Sequence, residues 1–355
     1  MLSQDFMKQV ATRKKRQRLA KIQVLVVDQD VRIATLVRDV LESFGFRHIK
    51  LATNSAGAAE AVAGALDLII SEWPMTMPSG EDFVRYVRRN DKSPRRDIPI
   101  VMLTARAEQA DVETARDAGV TEFLAKPFTA KMLSNRLVQV IDNPRSFILT
   151  RDFAGPDRRR KGEPPLGEAD RRLPEEVLQQ HATPKGDGVI YNIHNQQVLV
   201  KNPNRKLKEA IGSDLSAEKI FDPDNIRQAQ QVIMNMKDDY TSWVQADVGK
   251  MDAIYVALSS DMDSAEPWAI LSRTAFAMMG QAGTFGYHMA SAVAKSLYNY
   301  VESKPKPDAT SLVILRKHID TLYVIFSQEM TGGDEALGQE VVDTLRSLIE
   351  KYQSS

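Results

Sequence analysis

From Lys21 to about Asn143, short apolar runs alternate with stretches of helical periodicity. The runs "IQVLVVD", "HIKLAT", "DLIIS", "IPIVMLT" and "EFLA" are rich in Val, Ile and Leu, as strands covered on both faces are. Helical spacing fills the gaps at about 32–44, 55–64, 81–90 and 111–118, and a fifth helical stretch follows at 129–142. Strand and helix in this alternation predict a doubly wound, five-stranded parallel sheet of the α/β class. Such a sheet builds its site outside the carboxyl ends of its strands.

The pattern then changes. Residues 144–180, including "RDFAGPDRRRKGEPPLGEADRR", are rich in Arg, Pro and Gly and read as a linker. The arginines there suit a solvated tether, or a basic strip for a partner. Residues 181–222 hold a possible hairpin, "GVIYNIHNQQVLVKNP", turning near Asn195, and a connector. From 223 to 355 the chain reads as a helical bundle, opening with Asp222 as N-cap and Pro223 at the first helical position. Further helical runs are expected at about 240–260, 267–302, 309–329 and 334–352. In the last of these, Leu337, Val341, Leu345, Leu348 and Ile349 form one stripe. "GQAGTFG", Gly280 to Gly286, follows a helical run and lacks a Lys-Ser/Thr ending, so its glycines are expected to break one long helix or permit close helix packing and not to cradle phosphate.

Composition narrows the function. The chain of 355 residues is long enough for two domains. It carries 47 Lys plus Arg against 47 Asp plus Glu, so no global field draws it to nucleic acid or an anionic membrane. Cysteine is absent, which excludes thiolate chemistry and Cys-ligated zinc. The basic extension at 1–20 has no apolar stretch behind it, and no segment has the length of a membrane helix; a cytoplasmic location is expected. Of the five histidines, none makes a close metal-ligand pair. Helical geometry puts His288 on the exposed side of its helix and His318 at a half-buried boundary.

The ends of the strands carry the chemistry. Asp28 and Asp30 follow the first, Glu72 the third, Thr104 closes the fourth, and Lys126 with Pro127 follows the fifth. Carboxylates, a hydroxyl and an ammonium on one edge suit a phosphoryl group beside a hard cation. "VLVVDQD", "DLIISEWPMTMPSG", "VMLTA" and "EFLAKPF", in this order and spacing, resemble the signature segments of the response-regulator receiver domain of two-component signalling, over residues 21–143. The resemblance implies a flavodoxin-like sheet. Position by position it makes Asp28 the first acid, Gln29 the second, Glu72 the phosphoacceptor equivalent, Thr104 the hydroxyl, Phe123 the aromatic switch and Lys126 the lysine before a cis proline.

Several positions depart from that pattern. Gln29 removes a charge from the metal site, leaving Asp28 and Glu72 as its carboxylates and at most weak Mg2+ binding. Glu72 is one methylene longer than the usual aspartate, which moves its carboxylate toward the space of the phosphoryl group. Because a misplacement of about 1 Å can cost on the order of 100-fold in attack, phosphotransfer should be poor or absent. In the loop, Thr76, Pro78 and Ser79 also differ from the usual residues.

The reading is an atypical response regulator without an enzyme signature, in which Glu72 imitates a phosphorylated aspartate or the receiver serves as a phosphorylation-independent scaffold. The resemblance directs partners to the face at about 107–142, with the helical half as output. Two other classes stay open. One is a DNA-binding regulator using the basic linker, although no helix-turn-helix is found. The other is a histidine phosphotransfer protein using His288, although "GYHMASAVAK" matches no such motif.

Overall fold

The computed structural model describes residues 17–73, 79–90, 93, 95–158, 182–193, 196–213, 215–331 and 335–353. β1 (Gln23–Val27) lies between β2 (His48–Ala52) and β3 (Leu68–Ser71), pairing in parallel with both. β4 (Ile100–Thr104) and β5 (Glu122–Ala125) extend the sheet to the order β2-β1-β3-β4-β5. The apolar runs have the burial that their composition demands: every residue of β3 and β4 is buried. β2, at the edge, alternates instead. Helices α1 (Val31–Phe44), α2 (Ser55–Val62), α3 (Gly80–Arg89), α4 (Gln109–Ala118) and α5 (Ala130–Asp142) connect and follow these strands. Parallel pairing brings the carboxyl ends of β1, β3 and β4 to one edge, and the strand order switches direction between β1 and β3.

The stretch expected to be a linker begins instead as structure. β6 (Phe147–Leu149) and β7 (Ala154–Pro156) form a short antiparallel pair, and β6 joins β10 (Gln196–Lys201). The expected hairpin is present as β9 (Gly188–Ile193) with β10, although its turn at His194 and Asn195 lies outside the described residues. β8 (Ala182–Lys185) adds an edge that the sequence reading lacks, completing a five-stranded sheet. Strands of three residues interrupted by Gly and Pro show no period of two; only their pairing partner at long range defines them. Arg158, from "PDRRR", lies over the Phe153 ring at 4.2 Å and pairs with Asp117 at 3.2 Å. The rest of the arginine-rich stretch, 159–181, is outside the described residues.

A buried cation fixes the end of α3. Arg88 is 1% exposed, and its Nε donates to Gly119 O (2.8 Å) while Nη1 donates to Arg96 O and Ile98 O (both 2.7 Å). Burial lowers its pKa to about 9, so the guanidinium is still charged at neutral pH. Gly119 holds φ at +104°, and a Cβ there would lie 2.5 Å from Ala154 O; only glycine fits where β7 crosses the end of α4.

By its contacts the chain divides into two compact units. One takes the described residues up to Leu124 with those of Ala130–Gln230; the other takes Ala125–Thr129 and the described residues from Gln231 on. Beyond β10 the first unit holds α6 (Lys206–Ile211), a 3₁₀ turn at Ala217–Lys219 and most of α7 (Pro223–Asn235). This connector covers the end of α5: Lys208 Nζ pairs with Asp142 Oδ1 (2.6 Å), and Asp142 Oδ2 accepts from Ser216 Oγ and Ala217 N–H (both 2.8 Å). Part of the expected partner face at 107–142 is thus already in contact with the chain itself. Asp222 accepts from the Asn225 N–H at 3.0 Å, as an N-cap for α7 should.

The second unit contains α8 (Lys237–Ser260), α9 (Ala265–Gln281), α10 (His288–Glu302), α11 (Ala309–Ser327) and α12 (Glu335–Gln353). Between α9 and α10, Gly286 at φ +90° ends a 3₁₀ turn, so the long helical run is broken within the glycine-bearing stretch. Tyr240 stacks on Phe285 at 4.3 Å, and Tyr287 meets Phe326 at 5.1 Å. In the same unit the Phe128 N–H donates to Thr284 Oγ1 at 3.3 Å. On α12, Leu345 is buried while Val341, Leu348 and Ile349 are half-buried; the side chain of Leu337 is outside the described set.

His318 is more deeply placed than its position on the helix suggests, at 0% exposure. It sits between Ile314 O (2.8 Å from Nδ1) and Ser296 Oγ (3.0 Å from Nε2). That pair of neighbours suits a neutral ring with its proton on Nδ1. Burial pushes its pKa down to about 4. Between that value and the ordinary one near 6.5 the unfolded chain takes up a proton that the native ring refuses. The stabilisation is complete above about pH 6.5 and is lost as pH falls through the window to about 4, to a total of about 3 kcal/mol. Urea unfolding of wild type and His318→Gln across pH 4 to 7 should show this extra slope in wild type alone.

Candidate functional site

Each strand end contributes one group to the shared edge. Asp28, directly after β1, is 2% exposed, and its Oδ1 accepts the Asp30 N–H at 2.9 Å. Asp30 is the N-cap of α1: its Oδ1 accepts the Arg32 N–H at 2.9 Å. The same carboxylate grips the Arg32 guanidinium through Nε (2.8 Å) and Nη2 (2.5 Å). Between these acids Gln29 is half-buried, and its buried Nε2 has no hydrogen-bond partner among the described residues.

Glu72 follows β3 and is 9% exposed; its N–H donates to Val27 O at 2.8 Å, which ties its position to the end of β1. Trp73 beside it is 8% exposed. The chain returns at Gly80, whose N–H donates to Trp73 O at 3.1 Å. A Cβ at Gly80 would lie 2.1 Å from Trp73 O and 2.9 Å from Glu72 O, so glycine is required for this close approach. α3 then starts with a capping box, in which the Ser79 hydroxyl and N–H hold the Asp82 carboxyl below the usual carboxylate range. Thr76 and Pro78 lie outside the described residues.

Thr104 closes β4 with 0% exposure, and its Oγ1 accepts the Arg106 N–H at 3.0 Å. Lys126 is 8% exposed, and its peptide bond to Pro127 is cis. Phe123 on β5 is partly buried and packs against the core of the sheet. Asp28, Glu72 and Thr104 therefore stand at carboxyl ends of strands within the first unit, while Lys126 and Pro127 belong to the second. His288 begins α10 as an exposed residue, in the other unit. The orphaned Gln29 amide and the Asp30–Arg32 clamp are absent from the sequence reading; Arg two residues after an N-cap acid is the signal that points to the clamp.

A doubly wound sheet of this strand order with acids at its strand ends is the architecture of a class of signalling domains. Residues 24–138 match the family model described as "Response regulator receiver domain". The chain is 30% identical to the chemotaxis protein CheY1 of Helicobacter pylori over 122 residues, 34% of this chain and 97% of that protein. It is 33% identical to the phosphate regulon transcriptional regulatory protein PhoB of Escherichia coli over 118 residues, 33% of this chain and 51% of the relative. The chain thus spans about half the length of the PhoB relatives that it matches. Among solved structures, chemotaxis response regulator CheY4 of Vibrio cholerae matches at 29% identity with a TM-score of 0.31, covering 34% of this chain and 98% of that one. The chain belongs to the response-regulator receiver family, and this part of it is a receiver of two-component signalling.

A divalent cation is what the family implies at such a pocket. The donor set here does not fit one well: an amide replaces one acid, and Asp30 is engaged elsewhere. Among the described residues no group of three or more His, Asp or Glu is placed to hold a metal ion. No helix among them is long and apolar enough to cross a membrane.

Proposed function

We propose that the chain is an atypical response regulator that signals by contact and not by catalysis, with Glu72 as a built-in imitation of a phosphorylated aspartate. The observation that carries this reading is the burial of the Glu72 carboxylate-bearing side chain at the end of β3, in the unit whose strand ends also carry Asp28 and Thr104. A carboxylate displaced by one methylene supplies a permanent negative charge where a phosphoryl group would otherwise arrive. The same displacement removes the in-line position that attack on a phosphodonor requires. The helical unit is then the output, and partners are signalling proteins that bind it or the part of 107–142 that the connector leaves open. α4, mostly exposed, is the larger open part.

The test is labelling with acetyl phosphate together with hydrogen exchange on the full chain. Wild type should take up no acid-stable or hydroxylamine-labile label at Glu72. Glu72→Gln, which removes the charge and keeps the shape, should accelerate exchange around Thr104–Arg106 and Phe123–Lys126. Unchanged exchange in that variant would reduce the receiver to a scaffold, and label on Glu72 would restore phosphotransfer.

A further inference from the structure

We propose that this pocket takes no divalent cation: Arg32 holds the Asp30 carboxylate away from metal binding, and Gln29 puts a neutral side chain where the family carries a second acid. Three observations on β1 and α1 lead there. Mg2+ needs near-octahedral oxygen coordination, with carboxylates to offset its dehydration. Of the three acidic or amide side chains in "DQD", residues 28–30, Asp30 is committed twice over, to the α1 cap and to the bidentate Arg32 guanidinium. Swinging it onto a metal would give up a cap worth about 1 kcal/mol together with a charge-assisted fork. Gln29 then offers a buried N–H donor with no partner among the described residues. A neutral amide offers a cation at best one uncharged oxygen, whereas the acid common at this position would bring a full charge.

Asp28 is left with one oxygen already accepting the Asp30 N–H. Together with Glu72 that makes two carboxylates, too few to offset the dehydration of Mg2+. This inference rests on the geometry of β1 and α1 and not on the Glu72 reading, so either can fail alone.

Counting bound Mn2+ by electron paramagnetic resonance on the full chain tests it directly. Wild type should show no stoichiometric site at millimolar Mn2+, and its Trp73 emission should be flat under Mg2+. Gln29→Glu combined with Arg32→Ala, which restores an acid and frees Asp30, should bind one Mn2+ at least about tenfold more tightly than wild type. Removing Asp28 from that double variant (Asp28→Asn) should abolish the gain. One Mn2+ bound by wild type and lost in Asp28→Asn overturns the proposal. So does a double variant that stays empty although circular dichroism shows it folded, since Gln29 and Arg32 are then not what excludes the ion. Label on Glu72 without bound Mn2+ would sink the mimicry reading and leave this one standing.

Discussion

Arg88→Ala should lower the unfolding free energy of the first unit by about 3 kcal/mol or more, the largest effect expected of any single substitution outside the apolar core. Two terms oppose each other. Removing a guanidinium that is 1% exposed relieves its desolvation, which is the force that lowers its pKa. Against this, three backbone carbonyls lose their donors, those of Ile98 and Gly119 in buried bonds and that of Arg96 in a partly buried one. Each orphaned carbonyl costs about 1–3 kcal/mol, so the carbonyls win. The Phe147 ring, 5.8 Å from the guanidinium carbon, loses its cation as well. Arg88→Lys should recover less than half, because one ammonium cannot span a fork of carbonyls. Urea unfolding followed by circular dichroism measures both, and a midpoint within error of wild type for Arg88→Ala would remove the residue from this role.

Gly80→Ala should destabilise by about 3 kcal/mol and also loosen the candidate site. The added Cβ meets no flexible side chain that could give way; it meets the carbonyls of Trp73 and Glu72. Relief requires moving either the start of α3 or the end of β3, and the second carries Glu72. Trp73, 8% exposed and next in sequence, reports the movement: its emission should shift to the red and acrylamide quenching should rise. A stable variant with unchanged Trp73 emission would show that the close approach at Gly80 is not fixed in solution.

These two predictions mark what a linear reading misses. Arg88 lies in a helical stretch whose pattern of apolar positions is clear, yet nothing local separates it from Arg85 or Arg89, which are not buried. Its burial depends on residues from 96 to 121 and on β6 closing over them. The three-residue strands β6 and β7 escape for a related reason: no period can establish itself over so few positions, and the Gly and Pro of β7 read as turn residues. The period of its own helix puts His318 at a boundary. What buries it fully is α10, through Ser296.

The five strands and five helices of the receiver, by contrast, are written in local sequence, because burial on both faces and 3.6-residue spacing leave their mark on consecutive residues. Order and spacing alone also place Asp28, Glu72, Thr104 and Lys126 at strand ends. Tertiary structure decided which of the nearby polar groups are engaged: Asp30 is held by Arg32, Asp142 by Lys208 and the 3₁₀ turn, and the Gln29 Nε2 is left without a hydrogen-bond partner among the described residues. Periodicity registers the face a residue turns toward. It does not register what stands opposite, and hydrogen bonding and charge depend on that.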